Sequence, residues 1–482
     1  MNIIVAGRGT AGWMAALFTK KFFPDTNITV VYDDKTPIIG VGESTTPNFL
    51  DFIRTVDIPI EEVIKNCEAT IKHSIKFTNW KGDGTHYHHA FTFDDCVENI
   101  FNALSSNTNL DDVVLSSMLA ENNKVAFGKE ETWFNPYHGT GTALHFNAKK
   151  MAEYLQIVGV NRGIKTVVGK IEDVSLDNDG YVTNIILDTK EVINTDFIFD
   201  CTGFARFFVN KIYDSPFNSY EKILPVKKAM PFFIDRTEET PPFTEAIAMK
   251  YGWMWKIPVG KRYGCGYVFD SDYIDEKEAY EEICEVIKQK PHVPKTISFK
   301  AGYNAKPLNK NTLALGLAHG FLEPIEATSL LITANMLLTC FNNRIIKNAI
   351  SRNNDLEEAY NKIILKQVEN CVDMVYIHYL TPRNDTIFWQ KFKDDIPPSV
   401  TDKLNEIKNF DIKKQSSLWN AAPFNISNFL KCMGGVDYIE KDTIERNSKE
   451  LSHSQLQKLV ESFRDICMKS KTHDEYLDDI LK

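Results

Sequence analysis

Residues 2–22, Asn-Ile-Ile-Val-Ala-Gly-Arg-Gly-Thr-Ala-Gly-Trp-Met-Ala-Ala-Leu-Phe-Thr-Lys-Lys-Phe, decide the fold. The apolar run 3–6 predicts a buried strand, residues 7–12 form the pattern Gly-x-Gly-x-x-Gly, and residues 13–22 are compatible with a helix. Gly7 permits a tight turn, Gly9 lets the backbone approach a pyrophosphate, and Gly12 lets the helix pack on the strand. Together with the N–H groups that open the helix, at Thr10 and Ala11, this unit predicts a dinucleotide-binding site.

A second apolar run, residues 28–32, arrives at the spacing expected for the next strand of the same parallel sheet. The acidic residue that usually ends this strand is replaced by Tyr32, and Asp33 and Asp34 follow it. We assign the ribose hydroxyls to Asp33. No second Gly-x-Gly-x-x-Gly pattern occurs in the sequence, so the chain is expected to bind one dinucleotide.

Composition and charge narrow the class of protein. The net charge of −10 argues against broad nucleic-acid binding, and we expect no membrane span because no apolar run reaches the necessary length. The first strand begins at residue 3, which leaves no room for a signal peptide. The nine cysteines form no Cys-x-x-Cys pair, which favours reduced thiols and a cytoplasmic protein. Self-association into a homo-oligomer stays open.

The later part of the chain indicates an α/β fold with a helical end. We expect a Rossmann-like module, a parallel sheet with additional antiparallel strands, over residues 1–335, with inserted substrate-contacting segments at about 82–145 and 225–300. A strand at 197–200 ends in small residues and Gly203, which can lie against the cofactor, and Gly316 belongs to a further turn of the same kind. Residues 336–482 are expected to be mostly helical and to lie on the substrate side.

Motifs spread from residue 3 to about 390 resemble those of flavin-dependent halogenases of the tryptophan type. They are residues 7–13, Gly40-Val41-Gly42-Glu43-Ser44, Ser74-Ile-Lys-Phe-Thr-Asn-Trp80, Asp200-Cys-Thr-Gly-Phe204, Trp253-Met-Trp-Lys-Ile-Pro258, Phe321-Leu-Glu-Pro-Ile-Glu-Ala-Thr328, and His378-Tyr379 with Arg383, Asp385 and Trp389. The resemblance implies FAD as the cofactor, used as FADH2, with residues 40–44 among its contacts. It also implies a separate flavin reductase and a halide, which is chloride, bromide or iodide.

The resemblance further implies the roles of individual residues in halogenating a small electron-rich aromatic substrate, such as an indole or a phenol. Lys76 would face a tunnel between flavin and substrate and hold hypohalous acid, while Glu326 would accept the ring proton or orient the oxidised halogen. Without the resemblance, Lys76 would read as a solvated strand lysine and Glu326 as a carboxylate at a helix start.

Two further pairs of residues complete the expected site. A halide would lie at the helix start beside Thr328 and Ser329, although Ala327 stands where the family has serine, which leaves halide selectivity open. Trp253 and Trp255, at i and i+2 of a strand, would separate the flavin from the substrate. They could equally be core aromatics.

His89 and Phe91 match a family His-x-Phe pair beside the substrate ring. The histidine run at residues 86–89 could suggest a metal, but it lacks a fourth ligand at convincing spacing, and we expect no metal site. Two alternatives stay open at this level. One is a flavin monooxygenase that hydroxylates an aromatic substrate, and the other is a non-catalytic FAD-binding protein.

Overall fold

The computed structural model describes residues 1–37, 43–91, 96–126, 134–135, 140–414, 422–448 and 453–482. Its first sheet is mostly parallel and contains the N-terminal strand at its centre. The strand order is Lys165–Val168, Asn27–Tyr32, Asn2–Ala6, Phe197–Asp200, Thr312–Ala314 and Leu308–Asn309. The first four pairings are parallel and the last is antiparallel. The carboxyl ends of the parallel strands therefore meet at one edge, where the glycine turn follows residue 6.

A second, seven-stranded sheet contains strands from both of the segments expected as insertions. Its order is Ile297–Ser298, Lys228–Asp235, Arg262–Phe269, Gly252–Val259, Phe243–Ala248, Ser74–Thr78 and His86–Ala90. A third sheet pairs Ala143–Phe146 with Glu43–Ser44 on one side and with Thr70–Lys72 on the other. The smaller sheets are Ile171–Leu176 with Val182–Leu187 and Val192–Asn194; Phe217–Ser219 with Gly302–Asn304 and Gly320–Phe321; Lys124–Val125 with Lys471–Thr472; and Phe134–Asn135 with Thr140–Gly141.

Residues 71–80, which look like one strand in the sequence, are divided between the second and third sheets. The break falls at His73, whose backbone N–H donates to the carbonyl of Pro242 at 2.7 Å. Before the break, Ile71 donates its N–H to His473 Nε2 at 2.9 Å, and His473 Nδ1 lies 3.0 Å from the carbonyl oxygen of Thr240. The strand that precedes the break is thus fixed by residues distant in sequence.

Helices pack on one face of the first sheet, whereas its other face packs against the sheet that contains Val182–Leu187. Helices also form most of the C-terminal part. They are Thr10–Phe22, Pro47–Thr55, Ile60–Cys67, Cys96–Ser106, Leu115–Glu121, Ala148–Asn161, Glu276–Ile287, Thr328–Asn342, Ile345–Ile350, Glu357–Tyr379, Ile387–Gln390, Pro398–Lys408, Ile426–Gly435, Lys441–Asn447, His453–Lys469 and His473–Leu481. The expected α/β class, with a Rossmann-like module and a helical C-terminal part, is confirmed.

One expectation about the helices needs correction. The stretch Ile325–Asn342 is long and apolar enough to span a bilayer, with a mean hydropathy of 1.2, whereas no such run was expected. Two thirds of it (67%) is buried inside the fold, where its helix packs against the helices Thr10–Phe22, Pro47–Thr55 and Glu357–Tyr379. Its apolar character is therefore explained by its place in the core.

Candidate functional site

The glycine turn has the geometry that its sequence predicts. Gly7 adopts φ 130°, and a Cβ atom there would lie 2.2 Å from the carbonyl oxygen of Cys201. A Cβ at Gly12 would lie 2.1 Å from the carbonyl oxygen of Gly7, so a larger residue cannot fit between helix and turn. A Cβ at Gly9 would meet open space. The turn is thus closed towards the protein and open towards the cavity, which suits a bound pyrophosphate.

A cavity of about 640 Å³ extends from this turn to the start of the helix Thr328–Asn342. Its lining contains all the described residues that we predicted to bind the cofactor or the halide, and both tryptophans that we predicted to separate flavin from substrate. They are Gly7, Gly9, Thr10, Ala11, Gly12, Asp33, Glu43, Ser44, Gly203, Trp253, Trp255, Gly316, Thr328 and Ser329. Glu326 lines it as well. Gly40, Val41 and Gly42 lie outside the described residues. The arrangement fits an extended dinucleotide with its pyrophosphate at the turn.

Asp33 lines the cavity, and its carboxylate is hydrogen-bonded to the residues that follow it in the chain. Its carboxylate accepts hydrogen bonds from the Lys35 N–H at 2.9 Å and the Thr36 hydroxyl at 3.0 Å. The Lys35 N–H is the main cause of a pKa below the ordinary value. A ribose hydroxyl would find an ionised acceptor at this position.

Glu326 is a buried carboxylate between two histidines. His89 Nδ1 and His378 Nε2 each lie 2.7 Å from Glu326 Oε1, and the Tyr87 hydroxyl lies 3.2 Å from His378 Nδ1. Burial raises the pKa of Glu326, but His89 and His378 outweigh this effect and leave the pKa well below its ordinary value. The pKa of His378 is lowered, chiefly by burial. The structure therefore places an ionised carboxylate at this end of the cavity.

The backbone at Glu326 is strained in a way that exposes the next helix start. Glu326 and Ala327 have φ angles of 63° and 53°, a left-handed conformation that costs non-glycine residues free energy. The helix then begins at Thr328, and its first residues line the cavity. The first N–H groups of a helix have no partner within the helix, so this end can receive an anion.

The structure contradicts the buried position predicted for Lys76. Its ammonium group lies 3.0 Å from a carboxylate oxygen of Glu121, whose side chain is 40% exposed, and Lys76 does not line the cavity. The prediction treated residues 71–80 as one strand. Because the chain changes sheets at His73, Lys76 instead lies on the face shared with Glu121.

Lys72, four residues earlier, is the buried lysine. Its side chain is 0% exposed, and its amine donates to the carbonyl of Thr45 at 2.8 Å and lies 5.1 Å from the centre of the Phe91 ring. Burial lowers its pKa to about 7, although the charge of Glu326 acts in the opposite direction. Lys72 does not itself line the cavity, but its acceptor Thr45 directly follows Ser44 of the cavity wall. Sequence reasoning missed Lys72 because nothing in the pattern Thr-Ile-Lys-His distinguishes it.

His89 and Phe91 lie beyond the cavity, on the side of Glu326 and Lys72. His89 contacts Glu326 directly, and its ring centre is 6.4 Å from that of Phe424. Asn428 Nδ2 lies 3.3 Å from His89 Nε2. His378 was part of the quoted motifs, but its contact with Glu326 could not be read from the sequence.

Trp253 and Trp255 both line the cavity, with ring centres 6.3 Å apart. The indole N–H of Trp253 donates to Glu323 Oε1 at 2.9 Å, and the hydroxyl of Tyr379 donates to the same oxygen at 2.8 Å. The rings of Trp253 and Tyr379 are thus held by the same carboxyl oxygen.

Within the described parts of the chain, two groups of side chains have donor atoms close enough to hold a metal ion. In His89, Glu326, His378 and Cys432, both histidines already contact one carboxylate oxygen at 2.7 Å, so the group is satisfied by hydrogen bonds. In His86, His88 and Glu121, the ammonium of Lys76 contacts the same carboxylate and would repel a cation. Neither geometry requires an ion.

The glycine turn at the edge of a parallel sheet, and the cavity that begins there, are the features of a dinucleotide-binding enzyme. Residues 2–448 match the sequence model of the tryptophan halogenase family, and the chain belongs to that family. It is 30% identical over 437 residues to tryptophan 7-halogenase RebH of Lentzea aerocolonigenes, covering 82% of this chain and 79% of RebH. Tryptophan 6-halogenase SttH of Streptomyces toxytricini is 28% identical over 448 residues, 84% of each chain.

Solved structures agree in fold. BrvH, a flavin-dependent halogenase from Brevundimonas sp. BAL3, superposes with a TM-score of 0.86 at 23% identity, over 99% of each chain. Xcc4156, a flavin-dependent halogenase from Xanthomonas campestris, gives a TM-score of 0.87 at 24% identity, over 99% of this chain and 98% of that one. The sequence-based prediction of a flavin-dependent aromatic halogenase that uses FAD is confirmed by the family.

Proposed function

We propose that the chain halogenates an electron-rich aromatic ring by way of Lys72, and that Glu326 accepts the proton that the ring releases. FAD would lie along the cavity from the glycine turn, and a halide would bind at the helix start beside Thr328 and Ser329. When bound and reduced, the flavin would supply two electrons to O2, and the oxygen reduced in this way would take two electrons from the halide to give hypohalous acid.

The observation that carries the proposal is a buried amine that has no carboxylate partner among the residues that the structure describes. Lys431 is as buried as Lys72, but Asp111 Oδ1 lies 2.7 Å from its ammonium group. Lys72 has a backbone carbonyl as its acceptor and an aromatic ring beside it, and its pKa of about 7 leaves much of it neutral at physiological pH. A neutral amine can accept a halogen or hydrogen-bond hypohalous acid, which a salt-bridged ammonium cannot do.

Glu326 is suited to accepting the proton that the ring releases. It is ionised because His89 and His378 stabilise its charge, and it lines the cavity. The charge of Glu326 also acts on the pKa of Lys72, so the two groups influence each other electrostatically. The aromatic rings of Phe91 and Phe424 flank this end and favour a planar guest such as an indole or a phenol.

The proposal also includes the source of the reduced FAD and the place of the protein in the cell. The sequence carries a single dinucleotide pattern, at residues 7–12, so we assign the reduction of FAD to a separate flavin reductase. We place the protein in the cytoplasm, and we keep a boundary near residue 335 between the FAD-binding module and the substrate-side helices.

The test is mass spectrometry of products from a panel of indoles and phenols, each incubated with the protein, FADH2, O2 and one of chloride, bromide or iodide. We expect halogenated products whose mass follows the halide supplied. A hydroxylated product formed equally without halide would reject the proposal in favour of a monooxygenase. FAD binding without any turnover would reject it in favour of a non-catalytic flavoprotein.

A further inference from the structure

Glu323 is a second buried carboxyl group in the cavity, and the proposed function gives it no role. Its side chain is 1% exposed, and its Oε1 atom accepts hydrogen bonds from Trp253 and Tyr379. Its Oε2 atom has no hydrogen-bond partner among the described residues, although Glu323 lines the cavity. A buried carboxyl oxygen without a partner costs more free energy when it is charged than when it carries a proton.

This pattern of contacts fits a carboxylic acid better than a carboxylate. In the acid, Oε1 is the carbonyl oxygen and accepts from both neighbours, while the Oε2–H points to a partner in the cavity. Burial raises the pKa of Glu323 to about 7, against the smaller effects of Tyr379 and Trp253. The titratable groups around it are Tyr379, whose pKa is well above its ordinary value, and Glu326, three residues further along the same wall.

Glu323 and Glu326 are therefore held in opposite protonation states by their surroundings. Neutral donors and burial favour the acid at Glu323, whereas two imidazoles favour the ionised form at Glu326. Two carboxyl groups of one site whose pKa values are separated in this way are suited to acid and base duty respectively.

The chemistry of halide oxidation needs such an acid. In balanced form, FADH2 + O2 + X⁻ + H⁺ gives FAD + HOX + H2O: O2 gains four electrons, two from the flavin and two from the halide. Besides FADH2, O2 and the halide, this reaction consumes one proton, which the protein or the solvent must supply. The later step, ArH + HOX giving ArX + H2O, consumes none. The proton is thus required where hypohalous acid forms, on the flavin side.

We propose that Glu323 is the proton donor for hypohalous acid formation, and that it is reprotonated from solvent after each turnover. This inference rests on the proposed function. Trp253 and Tyr379 keep Oε1 occupied, so that the proton stays on Oε2, the atom free to face the cavity.

The test compares Glu323→Gln with Glu282→Gln. Glutamine keeps an oxygen for Trp253 and Tyr379 but cannot release a proton. Glu282 is a buried glutamate of the helix Glu276–Ile287, and it accepts from the Tyr267 hydroxyl at 3.0 Å, away from the cavity. Difference infrared spectroscopy of the FAD-bound proteins follows the carbonyl stretch of a protonated carboxyl group through neutral pH. In parallel, halogenated product and H2O2 are measured per FADH2 consumed.

Burial also raises the pKa of Glu43 to about 7, so we expect two carboxylic acid bands that titrate near pH 7 in the wild type and in Glu282→Gln. In Glu323→Gln the Glu43 band should remain, and only the Glu323 band should be missing. In Glu323→Gln, halogenated product should fall about 100-fold and H2O2 should rise, with FAD binding unchanged. The absence of the Glu323 band in the wild type, or wild-type coupling in Glu323→Gln, would overturn the inference. Failure of the proposed function is distinguishable, because it would appear as a wild type that forms no halogenated product while the Glu323 band persists.

Discussion

The buried amine of Lys72 gives the sharpest prediction. At its ordinary pKa of 10.5, a lysine at pH 8 is about 0.3% neutral, whereas at a pKa of about 7 it is about 90% neutral. We expect Lys72→Met to bind FAD normally and to lose at least about 100-fold in halogenated product. Lys76→Met removes a neighbouring ammonium that pairs with Glu121 and should leave product formation unchanged.

The lowered pKa also has a consequence for stability. Between pH 7 and 10.5 the unfolded chain holds the Lys72 proton and the folded chain does not, so the free energy of unfolding rises with pH across this window. The drop from 10.5 to about 7 corresponds to about 5 kcal/mol, which is fully present as a cost below pH 7. Lys72→Met should therefore be more stable than the wild type at pH 7, by up to this amount, and the advantage should shrink towards pH 10.5.

Two measurements decide the matter. In protein labelled with ¹³C at lysine Cε, one resonance should titrate near pH 7 in the wild type and in Lys76→Met, and should be missing in Lys72→Met. Urea unfolding of the wild type and Lys72→Met between pH 7 and 10 should show the converging stabilities. If no lysine titrates near neutral pH, or Lys72→Met still halogenates at the wild-type rate, the reasoning is refuted.

Three more outcomes are expected. Gly12→Ala should lose at least about tenfold in FAD affinity, measured by flavin fluorescence, because its Cβ would lie 2.1 Å from the Gly7 carbonyl oxygen; unchanged affinity would contradict the packing described. His473→Ala should cost about 1–3 kcal/mol, seen as a lower Tm in calorimetry, since the buried N–H of Ile71 loses its acceptor; an equal Tm would show that the bond contributes nothing. Glu326→Gln should keep FAD binding and lose about 100-fold in product by mass spectrometry, and an unimpaired yield would remove its role.

Local sequence carried most of the information about the cofactor end. The pattern at residues 7–12 predicts the turn, because Gly12 meets the Gly7 carbonyl within the same strand–helix unit, although Gly7 is also restricted by the distant Cys201. The apolar run after Thr328 likewise predicts a helix there, although its N-cap, Ala327, offers no side-chain hydrogen bond. These features depend on neighbours in the chain.

The substrate end could not be read in the same way. Residues 72 and 76 have the same parity in a strand, so alternation alone puts both on one face. The break at His73 that separates them depends on Pro242, and the pairing of Glu326 with His378 joins residues 52 positions apart. Distant partners of this kind leave no periodic signal in the sequence.

The hydrogen bond from Ile71 to His473 also bears on how the protein is made. The two residues are 402 positions apart, and the strand that holds the reactive amine is secured by the second of them. During synthesis, which proceeds from the N-terminus, that strand lacks this hydrogen bond until residue 473 has left the ribosome. We therefore expect the FAD-binding lobe to assemble early and the catalytic interior to be locked last, so that no nascent fragment short of residue 473 would be a competent halogenase.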